Sequence, residues 1–147
     1  MRQFTPAQLA RIAVVSSVFF ATAAQADSIT VTGGWIRAIP HAPAGGYFTL
    51  SNDSGKRMVL TGASSPVCGM LMLHKTDTAS GMASMNDVKE VPIAVGQHVS
   101  FAPGGYHLMC MQPTVAVEPG NKVPVTLIFS DGTQVTNEFA VRRANGQ

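Results

Sequence analysis

Two histidines and a series of methionines are where this sequence holds most of its chemistry. The stretch Gly104-Gly105-Tyr106-His107-Leu108-Met109-Cys110-Met111 is apolar and is bounded by Pro103-Gly104-Gly105 and Pro113. It reads as a β-strand entered through a tight turn. Strand side chains alternate between faces, so His107, Met109 and Met111 share one face while Leu108 and Cys110 share the other. Gly69 to His74 repeats the pattern, with Leu71 and Leu73 on one face and Met70, Met72 and His74 on the other. Imidazole beside thioether makes a soft-ligand surface. Neutral imidazole suits copper, and thioether sulfur selects the cuprous ion over hard cations. The competing reading is a half-buried strand in which Met fills gaps and His is a polar tip.

The elements that must position these side chains are short strands. Ser28 to Val31 and Trp35 to Ala38 are split by Gly33-Gly34, and Pro40 to Gly46 reads as a loop rich in Pro, Gly and Ala. Strands then follow at Tyr47 to Leu50, Arg57 to Gly62 and Gly69 to His74. Lys75 to Asn86 is a polar hairpin-like segment turning at Gly81. Further strands are expected at Val88 to Val91, His98 to Phe101 and Val123 to Phe129. Ser130-Asp131-Gly132 is a hairpin turn into Gln134 to Val141, and Arg142 to Gln147 reads as a frayed tail. Helical periodicity is missing throughout. Nine to eleven short strands with frequent turns mean an antiparallel β-sandwich or barrel of Greek-key type, an all-β domain without repeats or linkers.

The first 26 residues are expected to be a cleaved signal peptide: Arg2 and Arg11 ahead of the apolar run Ile12 to Ala24, then Ala24-Gln25-Ala26, with Asp27 beginning the mature protein. The run is too short for a stable membrane anchor, so an exported, soluble domain spanning 27–147 is expected, with no membrane anchor after cleavage. Removing 26 of 147 residues leaves 121, enough for one domain. Without Arg2 and Arg11 the ten Lys and Arg become eight, matching eight Asp and Glu. A neutral domain with no basic run argues against nucleic acid and against anionic membranes. An even cysteine count in an exported chain favours a disulfide, yet Cys110 has the parity opposite to His107 whereas Cys68 shares the parity of His74. A Cys68–Cys110 bond stays open on these grounds.

Counting from His74, ten residues precede Met85, twenty-one more precede His107, and one separates His107 from Met109: His-x10-Met-x21-His-x-Met. With Pro103-Gly104-Gly105 before the second histidine, this pattern resembles the periplasmic copper chaperones of the PCu(A)C family. The likeness extends to Trp35-Ile36-Arg37, Gly46-Tyr47-Phe48-Thr49-Leu50-Ser51-Asn52, Ser65-Pro66 and Phe129-Ser130-Asp131-Gly132. Cys110 and Cys68 depart from it, since an aliphatic residue is common after Met109 in that family. The resemblance implies a cupredoxin-like β-sandwich in the periplasm that binds one Cu(I) through His74, Met85, His107 and Met109. It also implies transfer to a protein partner, a respiratory oxidase copper centre or another chaperone that loads it. Two imidazoles and two thioethers add no negative charge, which favours Cu(I) over Cu(II), and they avoid an exposed thiolate that would oxidise outside the cytosol. Met85, beyond a polar loop, is placed to close over the metal.

Other chemistries fit less well. A blue-copper carrier needs a Cys ligand, and Cys110 faces away from His107 in a regular strand. There is no G-x-S-x-G elbow, no H-E-x-x-H helix, no CxxC and no evident carboxylate pair, so an enzyme is not expected. An exported β-sandwich acting as an interaction module without metal is the remaining alternative. His41 and His98 read as exposed rather than ligating. Trp35 is a core or edge anchor or a shield for the site. Met70, Met72, Met82 and Met111 serve either as packing or as an outer soft shell that guides copper in.

Overall fold

Alternation of apolar and polar residues decides most of the strands. In β9 (Lys122–Phe129) every second residue, Val123, Val125, Leu127 and Phe129, is buried. Its partner β10 (Gln134–Arg142) buries Phe139 and Val141. The computed structural model describes residues 28–147; the proposed leader lies outside the described residues. The remaining strands are β1 (Ile29–Arg37), β2 (Ala44–Asn52), β3 (Met58–Ser64), β4 (Cys68–Asp77), β5 (Ser84–Asp87), β6 (Val91–Ile93), β7 (His98–Phe101) and β8 (Tyr106–Pro113). They pair in the order β5-β4-β8-β7-β2-β1-β10-β9-β3-β6, with β8 also pairing β2. The long strand β2 serves both neighbours: its first half, Ala44 to Gly46, pairs with β8 and its second, Phe48 to Ser51, with β7. The sheet thereby folds over on itself into a cupredoxin-like sandwich. Leu73, Leu108 and Cys110 from β4 and β8 share one core with Val125, Phe129 and Phe139 from β9 and β10.

Pro124 sits inside β9 without breaking it. It pairs with Glu138 of β10 on one side, and on the other it lies past the last β3 partner, Ser64 opposite Thr126. No ladder bond is asked of its missing N–H, and its carbonyl accepts from Ser65 Oγ at 2.6 Å.

The Gly33-Gly34 break in β1 is a bulge rather than a boundary. Ile29 and Val31 are buried before it and Ile36 after it, so the core-facing parity switches across the break. Gly33 takes a φ of 64°, which only glycine adopts freely. Gly34 lies against the ring of Phe139; a Cβ there would stand 2.7 Å from Phe139 Cδ1. Because Phe139 is fully buried, the ring has no room to yield. Gly34→Ala should destabilise the domain by about 1–3 kcal/mol, read as a lower urea midpoint with an unchanged slope.

One boundary differs from expectation. Ala44, Gly45 and Gly46 belong to β2 and are buried. A Cβ at Gly46 would come 3.1 Å from Leu108 Cβ, so this glycine permits close approach of β2 to β8 rather than marking a loop. The hairpin expected over Lys75 to Asn86 is present: Met85 lies in β5, paired with β4, and the turn 78–83 around Gly81 joins the two.

Candidate metal centre

The two histidines meet because β4 and β8 are antiparallel neighbours in one register. His74 stands directly opposite His107, Met72 opposite Met109, and Met70 opposite Met111. Directly opposed residues project from the same face, and the intervening Leu73 and Leu108 point into the core. On the outer side of β4, Asp87 pairs with His74 and Met85 with Thr76. On the far side of β8, Gly45 pairs with Met109. His74, Met85, His107 and Met109 therefore share one face of three adjacent strands. Met85 is one pair removed from His74 on its neighbouring strand and is 61% exposed, a diagonal that long side chains span.

His107 is only 3% exposed. Its Nδ1–H donates to the Gly105 carbonyl at 3.1 Å, and the same carbonyl accepts the backbone N–H of Thr76 from β4. One backbone oxygen thus ties the two strands together and fixes the imidazole tautomer. Nε2 is left with its lone pair buried and unpartnered. In His74 the Nε2 lies 2.9 Å from Asp87 Oδ1, an ion-pair distance, but the approach is out of line for a hydrogen bond, and both ring nitrogens are buried without one. The rings meet edge to face, centroids 5.7 Å apart at 82°. A metal–nitrogen bond of about 2 Å places an ion roughly 3 Å from each ring centre, so two rings sharing one ion stand about 5–6 Å apart. The observed spacing fits. A buried polar atom left unsatisfied costs roughly 1–3 kcal/mol; a bound cation would relieve that cost.

What completes the donor set is decided by what surrounds the pair. Among the described residues no group of three or more His, Cys, Asp and Glu is placed to hold an ion. Thioethers supply the further donors on this face: Met109 and Met72 stand one pair along from the histidines on β8 and β4, and Met85 lies on β5. Cys110 is unavailable as a thiolate ligand because it is bonded to Cys68. His41 and His98 are exposed; His98, on β7, pairs with Ser51 of β2, and its Nδ1 is 2.6 Å from Ser51 Oγ.

An aromatic and cationic flank covers the face beyond β8. Tyr47 packs with its ring centroid 6.4 Å from His107 and 4.8 Å from Trp35. Arg37 lies over both rings, at 5.6 Å and 5.3 Å, and Arg142 lies over Trp35 at 5.4 Å. Gly45 makes room for this arrangement: a Cβ there would meet Tyr47 Oη at 2.6 Å. Sequence reasoning gave Tyr47, Gly45 and Asp87 no part in the site. The signal for Tyr47 was present in its alternation with core-facing Phe48, whereas Asp87 depends on the β4–β5 register, which no local pattern carries.

A cupredoxin-like sandwich with paired imidazoles among thioethers on its outer face is the class that fold and site define. The family follows from the whole chain: residues 29–141 match the LpqE-like lipoprotein family, and the protein belongs to it. A relative from Leifsonia xyli subsp. xyli, Lxx21020, a lipoprotein by name, is 34% identical over 110 residues, covering 74% of this chain and 66% of its own; this chain thus spans about two thirds of that relative's length. Among solved structures, CuI-DR1885 from Deinococcus radiodurans aligns with a TM-score of 0.64 at 33% identity, over 82% of this chain and 83% of that one. The copper-bound PCuAC domain from PmoF2 shares the fold, with a TM-score of 0.65 at 22% identity over 78% and 92% of the two chains.

Proposed function

We propose that this protein is a periplasmic copper chaperone that carries one Cu(I) on His74, Met85, His107 and Met109 and passes it to a partner protein. Residues 1–26 would direct export and be removed. The recipient would be the copper centre of a respiratory oxidase, or a chaperone that loads it. The work is binding and transfer, with no substrate turnover.

The observation that carries this reading is the buried, unpartnered Nε2 of His107 facing His74, whose ring nitrogens are buried without a hydrogen bond and whose Nε2 lies 2.9 Å from Asp87, across one strand pair. Thioethers nearby make the pocket soft, and thioether with imidazole favours Cu(I). The 33% identical DR1885 has been solved in a Cu(I) form, consistent with the same cargo. Exposure of Met85 leaves one ligand free to be exchanged for a donor from the recipient, so copper can change hands without passing through water.

X-ray absorption of the copper-loaded protein tests the ligand set. Two nitrogen and two sulfur neighbours around Cu(I) are expected; an all-oxygen or all-nitrogen shell would refute it. Imidazole must be deprotonated to bind metal. Protons therefore compete with copper, and affinity measured against a chelator should weaken steadily from neutral to acid pH. A flat profile would exclude histidine ligation.

A further inference from the structure

The thioethers beyond the proposed ligands are arranged too regularly to be packing alone. Along the outer face of β4 and β8, three successive cross-strand pairs are His74–His107, Met72–Met109 and Met70–Met111. On this face from 70 to 74 every side chain is an imidazole or a thioether. The outer face of the β9–β10 pair mixes polar and apolar side chains instead: Thr126 opposite Thr136, their hydroxyls 2.8 Å apart, with Gln134 opposite Ile128 and Glu138 opposite Pro124. Met70 is 62% exposed, so it fills no gap, and a large apolar side chain gains nothing from water contact. At the same end Met111 also lines an apolar cavity of about 1000 Å³ together with Ile39, Pro43 and Val115. The methionine pairs thus run from buried His107 to an open recess.

We propose that Met70, Met72 and Met111 form a second, weaker Cu(I) position beside Met109, a thioether-only relay between the two-histidine site and the outside. This rests on the Cu(I) reading of the first site. Directly opposed Cβ atoms on paired strands are about 5 Å apart. Metal–sulfur bonds of about 2.3 Å let two opposed sulfurs share one ion, and the unbranched methionine side chain adjusts to reach it. Three neutral thioethers select Cu(I) over harder ions. They lack the two imidazoles of the first site, so the relay holds the ion more loosely. Met109, adjacent to both positions, is the sulfur through which an ion would step from one to the other. No electron or proton moves: as the ion steps inward, Cu–S bonds to Met70, Met72 and Met111 break while Cu–N bonds to His74 and His107 and the Cu–S bond to Met85 form, with Met109 bound throughout.

The test is anaerobic Cu(I) titration of the full protein, followed by the methyl resonances of its methionines. Wild type should take up two equivalents. The first should shift Met85 and Met109; the second, at least about 100-fold weaker, should shift Met70, Met72 and Met111. The near-isosteric variant Met70→Leu/Met72→Leu/Met111→Leu should keep the first equivalent and lose the second. The variant His74→Ala/His107→Ala should lose the first and retain the weak one at the methionines. If the Met70, Met72 and Met111 methyls stay unmoved beyond one equivalent, or the triple leucine variant still takes two, the relay is overturned. If wild type takes up no tight equivalent, or the histidine variant binds it unchanged, the failure is that of the first site instead.

Discussion

Replacing His107 and Met109 together by alanine should abolish tight Cu(I) binding and leave the fold standing. Both side chains lie on the outer face of β8, while the residues between and beside them, Leu108 and Cys110, hold that strand to the core. Loss of an outer partner alone typically lowers metal affinity about 10- to 100-fold, so loss of two ligands should lower it by well over 100-fold in competition with a chelator. The truncation removes the buried unpartnered Nε2 of His107 together with its bond to the Gly105 carbonyl and its contacts with His74 and Tyr47, so the metal-free variant should be less stable than wild type but still folded. Leu108→Ala is the converse. It opens a cavity under the site and should destabilise by about 2–5 kcal/mol, yet whatever remains folded should bind copper through all four ligands. Parallel measurements of affinity and of urea midpoint on the two proteins separate the face that binds from the face that packs. A double variant that competes for Cu(I) as well as wild type would remove His107 and Met109 from the site.

Strand parity made much of this readable from the chain. Leu71 and Leu73 alternating with Met70, Met72 and His74, and Leu108 with His107 and Met109, are enough to place imidazoles and thioethers on one side and aliphatics on the other. The structure then contributes the register, which puts His74 opposite His107 rather than opposite Met109; a shift by two residues would have kept every parity and moved the site. Where parity failed, glycine or a left-handed residue interrupts the pleat. The bulge at Gly33-Gly34 reverses which residues of β1 face the core, so Trp35 joins Tyr47 on the site face instead of packing inside. The Pro- and Gly-rich run before Tyr47 is read locally as loop, because composition cannot report that Leu108 of a distant strand needs the space above Gly46. The cysteines are a third instance. Gln112 takes a φ of 49°, and the ladder between β4 and β8 passes from Met70–Met111 to Cys68–Pro113 with Gly69 packed against the Gln112 side chain. At this end of the ladder, where the Gly69–Gln112 pair is missing, Cys68 and Cys110 are bonded despite their opposite parity, with Cα atoms 5.4 Å apart.

The Cys68–Cys110 bond should be one of the larger single contributions to the domain's stability. It joins positions 42 residues apart, and closing a loop of that length restricts the unfolded chain by roughly 4 kcal/mol on the chain-entropy estimate. Cys68→Ala/Cys110→Ala should lower the melting temperature by about 12–20 °C for a domain of this size, to which the small cavity left by buried Cys110 adds. The bond also pins the start of β4 to the middle of β8, the two strands that bring His74 and His107 together. Bound copper acts across the same pair. A ligand that binds only the folded state stabilises it by RT ln(1 + [L]/Kd), so Cu(I) should raise the melting temperature of the alanine variant even though its disulfide is gone. Calorimetry of both proteins with and without Cu(I) reads the two contributions separately. A variant melting within a few degrees of wild type would mean that strand packing alone keeps β4 against β8. A variant that melts low and gains nothing from Cu(I) would mean that the disulfide holds the ligands in register, a requirement the buried His74–His107 contact could not then meet unaided.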